Sequence, residues 1–526
     1  MAPMSVTAPS HLAKLELALK AHRQGQLDTA AALYREILAT NPAHFDSLHL
    51  LGVVEMNRGD AALAVDLIGK ALQVNKRSAP AHSNMGLALR ALGRHSEAIS
   101  ACDRAIAAQA DNVLAHYNRA LILLDMARYE QALTGFRKTL GMNPDLREAH
   151  TNMGVALQAM GRLEEALESF AKADALQPRN ADTLHNIGCV NQLLRRRDAA
   201  RTSFESAIAC APQHAEAHVG LSECLLQAGR YAEGWREYEW RWKIPGIEVL
   251  KRSFDQPILR GSENVAGKTI LIHAEQGLGD TLQFARYIRV LRERGAQIVL
   301  EVQAPLKPLF AAQDGLAHVL AKDETLPAFD LHCPLLSLPM LLNTGSDFVT
   351  APYIHAPSAA VEKWRDRLGL TTTPHCGVVW SGSTIMRGTG RFRSIPLGTF
   401  KRISEAGVAL VGLQRDVRDS DKTTLAAFTD INNLGPDLQD FADTAGLIAN
   451  LDLVVTVDTA VAHLAGAMGK PVWILLAHAP DWRWDIDTDG ENVWYPTARL
   501  FRQCTLLDWN PVIDRVIAEL KTHFPG

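Results

Sequence analysis

A small residue returns to one register of this chain every 34 positions: Gly25, Gly59, Gly93, Ala127, Gly161 and Gly229, with Arg195 as the one interruption. Other positions keep the same beat. Ala30, Ala64, Ala98, Ala132, Ala166 and Ala200 lead to Gly234, and a large apolar slot reads Tyr34, Ile68, Cys102, Phe136, Phe170, Phe204, Tyr238. A second small slot reads Gly52, Gly86, Ala120, Gly154, Gly188, Ser222, and a proline slot reads Pro42, Lys76, Ala110, Pro144, Pro178, Pro212. A period of this length, held in phase by several slots, describes helical hairpins: small residues let the helices approach, large apolar ones fill the seam, and proline stops the second helix. The beat ends near Lys243, and more than half of the chain follows without it.

These slots resemble the tetratricopeptide repeat over about seven units spanning residues 11–245. The resemblance implies an all-α superhelix with a groove for an extended peptide or a partner protein. Residues 1–10 carry no basic segment followed by an apolar run, so they read as a disordered tail and not as a signal peptide. At the other end of the repeats, Trp235–Trp242 (WREYEWRW) packs three tryptophans and a tyrosine into eight residues. The expectation is a capping helix whose aromatics seal the solenoid against the next domain, with a direct ligand role as the alternative. Residues 246–268, rich in Pro and Gly, read as a linker.

Composition narrows the function classes. A net charge of −4 offers no electrostatic footprint for nucleic acid. The seven cysteines are scattered without a C-x-x-C pair, which speaks against a disulfide framework or a structural zinc and for a cytoplasmic location. The most apolar stretch, residues 451–476, is interrupted by Asp452, Asp458, His463, Lys470 and Pro471, so no transmembrane segment is expected.

Chemistry begins after the repeats. Thr269–Ala274 (TILIHA) reads as a strand, Glu275–Asp280 (EQGLGD) as a glycine turn, the residues through Arg294 as helix, and Gln297–Val302 as a second strand. This is a Rossmann-like opening, in which Gly277 and Gly279 would let backbone N–H groups approach a ligand at a helix start. The third glycine of a dinucleotide fingerprint and the G-K-[ST] of a P-loop are both missing, so neither NAD nor ATP hydrolysis is indicated. Asp280 has two readings. As structure it is a helix N-cap; as chemistry it is a carboxylate at a strand end, able to take a proton from a positioned hydroxyl.

A second αβ unit follows. Strands are expected at Cys376–Trp380, Ala409–Leu413, Leu451–Val457 and Val472–Leu476. Ser381 and Gly382 make a small turn after the first, Gln414 and Arg415 end the second, and Asp458-Thr459-Ala460 opens a helix containing His463 after the third. Arg387, Arg391 and Arg393 stand in a polar loop between them. Arginines, small turns and a helix start at strand C-ends make a candidate diphosphate site. The Asp485–Gly490 run begins like a calcium loop but has Pro496 in the twelfth position, so no metal is assigned.

Leu271–Arg286 (LIHAEQGLGDTLQFAR) together with Val455–Pro471 (VTVDTAVAHLAGAMGKP) resembles the heptosyltransferase-type glycosyltransferases, in the form fused behind tetratricopeptide repeats in bacteria. The tail from Asp481 through Arg502, with its WRW and WYP segments, is similar to those fusions too. The resemblance implies a glycosyltransferase B fold of two Rossmann-like lobes, residues 269–360 on the acceptor side and 361–526 on the nucleotide-sugar side with a C-terminal helix. It implies Asp280 as general base, and Gly279, Ser381, Gly382, Arg391, Arg393, Gln414, Asp458, Thr459, Ala460 and His463 around the donor. The stretch 388–393 reads Gly-Thr-Gly-Arg-Phe-Arg where such fusions carry an Asp-Arg pair. The implied activity is metal-independent, inverting sugar transfer that uses a nucleotide sugar as co-substrate and no cofactor. Its acceptor would be a protein held by the repeats, with flagellin as the client that such fusions suggest. The competing readings are a transferase building surface polysaccharide or lipopolysaccharide, and a non-catalytic adaptor.

Overall fold

The computed structural model describes residues 11–247, 251–343, 352–369, 373–382, 392–484 and 491–525. The chain divides into two compact units, Met1–Val190 and Asn191–Gly526. The first is all helix: His11–Arg23 pairs with Leu27–Thr40, Phe45–Asn57 with Ala61–Val74, Ala79–Ala91 with His95–Ala108, Val113–Asp125 with Tyr129–Met142, and Arg147–Ala159 with Leu163–Leu176. Ala181–Leu193 crosses the division, and the second unit keeps Arg197–Cys210, Ala215–Gln227 and Tyr231–Tyr238. The compact division therefore falls inside the repeats and not at their end.

The two small slots do different jobs. Gly25, Gly59, Gly93, Gly161 and Gly229 all have φ between +71° and +91°, in the turn between the two helices, and a Cβ on Gly25, Gly59, Gly93 or Gly229 would meet nothing within 4 Å. Close approach, the expected reason for this register, is not the cause; the left-handed turn is, and Ala127 (φ +57°) and Arg195 (φ +60°) adopt it despite carrying a Cβ. Close approach belongs to the second slot. A Cβ on Gly52 would lie 2.6 Å from Ile68, on Gly86 2.5 Å from Cys102 Sγ, and on Gly154 2.7 Å from the Phe170 ring, each the large apolar residue of the same hairpin.

A further beat runs through histidines. His82, His116 and His150 place Nε2 at 2.9, 3.0 and 2.9 Å from the carbonyl oxygens of Lys76, Ala110 and Pro144, and His218 repeats the contact to Pro212 in the second unit. Asparagines stitch one repeat to the next: Asn118 Nδ2 donates to Ser83 Oγ (3.1 Å) and Asn152 Nδ2 to Tyr117 Oη (2.9 Å).

Beyond its helices the second unit holds two sheets. The first has the order β3-β2-β1-β4, all parallel, with β1 Thr269–His273, β2 Gln297–Val302, β3 His318–Ala321 and β4 Leu331–Pro334. The second has the order β10-β11-β9-β8-β5-β6-β7, comprising β5 His375–Val379, β6 Ala409–Gly412, β7 Ile431–Asn433, β8 Leu453–Val457, β9 Val472–Leu476, β10 Glu491–Asn492 and β11 Tyr495–Arg502. Its pairings are parallel except β10 with β11. Buried on both faces, β8 sends Leu453, Val455 and Val457 into a core shared with the C-terminal helix Asn510–His523, while Val454 faces the core of the first sheet. That second core is continuous with Leu226 and Trp235 of the last helical pair. The expected helix through Arg294 is instead three short pieces, Leu278–Phe284, a 3-10 turn Ala285–Tyr287, and Ile288–Glu293.

The split between the slots has a measurable consequence. Ala127→Gly relieves a left-handed alanine and is expected to stabilise the protein by about 0.5–1 kcal/mol, whereas Gly161→Ala creates that strain and costs about 1–2 kcal/mol. Gly154→Val drives a side chain into Phe170 and is expected to cost about 1–3 kcal/mol. Urea unfolding of the three variants checks this; Ala127→Gly and Gly161→Ala shifting the midpoint in the same direction would refute it.

Candidate functional site

In parallel α/β sheets the strand C-ends collect ligands, because loops and helix starts there leave backbone groups unpaired. Here the C-ends of β1, β5, β6 and β8 open onto one cleft of about 950 Å³. From the first sheet come Gln276 to Asp280; from the second come Ser381 and Gly382 after β5, Gln414 after β6, and Asp458 to Val461 with His463 after β8. Arg393 lines it as well. The expected site residues are thus brought together, apart from Arg391, which lies outside the described residues, as does the Asp485–Gly490 run.

Two of them stand differently from the expectation. Asp280 is not the N-cap of its helix. Gly277 holds that place with an extended backbone, and Asp280, in the first turn, reaches back so that its Oδ2 accepts the Gly277 N–H at 3.0 Å. Its other oxygen, Oδ1, accepts from Arg483 in an ion pair. Gly279 lines the cleft and has a packing role as well: a Cβ there would lie 2.7 Å from His463 Cδ2, so its bareness lets the helix Leu278–Phe284 pack on Ala460–Ala467. Gly382 acts likewise, since a Cβ would meet Arg393 Nε at 2.9 Å.

At the second helix start, Thr459 is the N-cap by position but caps nothing with its side chain, whose Oγ1 sits 3.1 Å from Thr456 Oγ1. Ala462 N–H donates to the Thr459 carbonyl oxygen at 3.0 Å, and the N–H groups of Ala460 and Val461, both in the cleft lining, stand ahead of it in the first turn. Asp458 lies 3.9 Å from both Arg393 Nη1 and His463 Nε2. Burial, then the nearby Asp481 charge, push its carboxyl up to about 6 against the pull of Arg393 and Arg483. His463 Nδ1 is 2.9 Å from Tyr495 Oη, and burial, reinforced by Arg483, Arg286 and Arg393, holds its imidazole neutral by lowering its pKa well below the ordinary value. Gln414 Oε1 accepts from Ser381 N–H (3.1 Å), while Ser381 Oγ is buried without a hydrogen-bond partner among the described residues.

Arg483 was not singled out from the sequence as a site residue, yet it is central. It is buried, bonds Asp280, Gln283 and Asp481 (2.9 Å to the last), and stacks on Trp482. Its signal in the sequence was the aromatic Trp482-Arg483-Trp484 setting, which has no periodicity to reveal which way the arginine points. Glu223 and Tyr238, from the last helical pair, also line the cleft.

The WREYEWRW segment acts as the seal it was expected to be. Trp235 is buried edge-on to Phe284 (5.6 Å) and Trp482 (5.2 Å), and Trp240 stacks on His218 at 3.7 Å. Arg241 reaches Glu275 (3.0 Å), Glu239 (2.7 Å) and Ser337 Oγ (2.8 Å), tying the segment to the first sheet through a buried ion pair. Tyr238 adds a polar contact, donating to Gln276 Oε1 at 3.1 Å.

Residues 400–485, which include Gln414, Asp458 to His463 and Arg483, match the family model described as glycosyltransferase family 9 (heptosyltransferase). Residues 15–83, 49–113 and 83–125 match a tetratricopeptide repeat model, and 121–235 match the N-terminal tetratricopeptide repeat region of Psidin. The chain carries tetratricopeptide repeats and a glycosyltransferase family 9 region. It is similar to Protein FlbA of Caulobacter vibrioides, 29% identical over 326 residues, 56% of this chain and 53% of the relative, so the match spans about half of that protein's length. Among solved structures it is similar to a crystal structure of MamA (27% identical, 30% of this chain, 94% of that chain, TM-score 0.28). It is also similar to one of PilW, described as a widely conserved type IV pilus biogenesis factor (20% identical, 40% of this chain, 98% of that chain, TM-score 0.38). No helix among the described residues is long and apolar enough to cross a membrane, and no group of three His, Cys, Asp or Glu among them is placed to hold a metal ion.

The raised Asp458 gives a pH test. A carboxyl whose folded pKa stands above 3.8 makes its ionised form unfavourable in the folded chain, so the penalty is absent below about 4 and full above about 6. Asp458→Asn removes it. Relative to the parent, the variant is expected to gain on the order of 1–3 kcal/mol between pH 4 and pH 8. Urea midpoints of both proteins across that range provide the check; a difference that does not grow with pH would show that Asp458 is not desolvated.

Proposed function

We propose that this protein is a glycosyltransferase of glycosyltransferase B architecture that moves a sugar from a nucleotide sugar to a hydroxyl of a protein captured by its repeats. The observation that carries the reading is the cleft itself: Asp280, the helix start at Thr459-Ala460, Arg393 and Arg483 meet in one space, and the helix start and Arg483 fall within the residues 400–485 that match glycosyltransferase family 9. Flagellin is the client we infer, from the bacterial fusions that the chain resembles.

The reaction is an in-line displacement. The acceptor oxygen forms its bond to the anomeric carbon as the bond from that carbon to the donor phosphate breaks, the electron pair leaving with the nucleotide. Negative charge growing on the phosphate is met by the N–H groups opening Ala460–Ala467 and by the arginines. One displacement inverts the anomeric centre, and the positive charge needed comes from side chains and backbone without a metal. Asp280 takes the hydroxyl proton. Since its Oδ1 is paired with Arg483, it serves as base once a donor phosphate has drawn that guanidinium away, which makes donor binding precede acceptor binding.

Thermal shift with a panel of nucleotide sugars is expected to single out one donor, whose stabilisation reaches about 2.7 kcal/mol at a hundredfold excess over its Kd. With that donor, Asp280→Ala is expected to lower transfer about 100-fold or more while the donor still binds. Transfer by Asp280→Ala at the parental rate would remove the base role. A silent panel would favour an adaptor.

A further inference from the structure

The last helical pair does more than cap the repeats. Glu223, on the helix Ala215–Gln227, and Tyr238, at the end of the helix Tyr231–Tyr238, belong to the same compact unit as the sheets and form part of the cleft wall. Tyr238 occupies the large apolar slot of the last hairpin, whereas Glu223 stands outside that slot. Glu223 Oε2 accepts from Gln192 Nε2 at 3.2 Å, which anchors one carboxylate oxygen to the end of the helix Ala181–Leu193. No other hydrogen-bond donor reaches Glu223 among the described residues.

Charge decides which substrate this wall serves. The groups facing Glu223 are Asp481 and Arg483 from the tail and Gln192 from the helix Ala181–Leu193. Arg483 is already shared between Asp280 and Asp481, so this side of the cleft is rich in carboxylate. Beyond the one phosphate contact that Arg483 can offer, a donor diphosphate finds its positive charge at Arg393 and the helix start after Asp458. What a carboxylate can hold opposite the phosphates is a hydrogen-bond donor, and the helical repeats are the element that would deliver a protein.

Resting on the glycosyltransferase reading above, we propose that Glu223 is an acceptor-binding residue: its carboxylate receives a hydrogen bond from the hydroxyl or an adjacent backbone N–H of the protein acceptor, so the last repeat supplies one wall of the active site. The assignment makes the repeats part of the reaction site and not a detachable docking arm. It also couples acceptor binding to pH, because burial in the cleft wall, followed by the Asp481 charge, pushes the Glu223 carboxyl up to about 7. The ionised form is the stronger acceptor of a hydrogen bond. Acceptor binding is therefore complete above that value and weakens as pH falls through it.

The test uses the full chain, the nucleotide sugar chosen by thermal shift, and purified flagellin as acceptor. Glu223→Gln keeps the side-chain volume and its contact to Gln192; Glu223→Ala removes both. At pH 8 each variant is expected to raise the KM for flagellin about tenfold or more, with the calorimetric Kd for the nucleotide sugar within about twofold of the parent. In the parent, kcat/KM for flagellin falls as pH drops through about 7, and Glu223→Gln loses that limb. An unchanged flagellin KM with the parental pH profile, or a donor Kd weakened as much as the acceptor KM, would overturn the assignment. A parent that neither binds a nucleotide sugar nor modifies flagellin would instead sink the reading on which it rests.

Discussion

The second unit depends on the contact between two helix starts, Leu278–Phe284 from the first sheet and Ala460–Ala467 from the second. They meet because position 279 has no side chain: the His463 ring occupies the place where a Cβ would stand. Each helix begins at the C-end of a parallel strand, so this one contact turns the ligand-binding edges of two sheets toward each other. The core confirms how tightly the parts are joined, since one apolar cluster runs from Trp235 through β1 and β2 to β8 and β9. A site built across such a contact gains the positioning of groups from both sheets without either sheet having to carry the whole set.

The cleft so formed holds charges of both signs close together. Asp280, Asp458, Asp481 and Glu223 stand with Arg393 and Arg483, and no one pair is isolated. Arg483 takes its importance from this balance. Buried on the tail between carboxylates, it stays charged, and it is the cation that an incoming phosphate would have to win from Asp280. Asp458 and Glu223 lie at the other extreme, with their ionised forms disfavoured by burial and by Asp481. Carboxyls raised in this way suit a site that must handle a proton and hold a polar acceptor.

Much of this was legible in the residues, though sometimes for a reason other than the expected one. The 34-residue register of Gly25, Gly59 and Gly93 located the hairpins, yet those glycines serve a left-handed turn, and the seam belongs to Gly52, Gly86 and Gly154. The histidine beat of His82, His116, His150 and His218 keeps the same period and passed unnoticed, because a polar residue at helical spacing reads as surface until its carbonyl partner is seen. Strands β2 and β9 were readable to the residue, as buried β-branched runs between turn signals. Strands β3, β4 and β7 were not: at three or four residues each they are too short to show a period, and their neighbours in the sheet stabilise them.

The sequence by itself determined the local matters: where the hairpins begin and end, which runs are buried strands, and which small or acidic residues stand at strand ends. Those follow from backbone conformation and from burial at fixed spacing, both of which act over a few residues. Only the tertiary structure decided that Asp280 is bound to Arg483, some two hundred residues away in the chain, and that Glu223 of a helical repeat faces the same cleft. Charge pairing depends on distance in space and on the dielectric of the surroundings. Neither quantity exists until the two sheets and the last helical pair have closed around a common core.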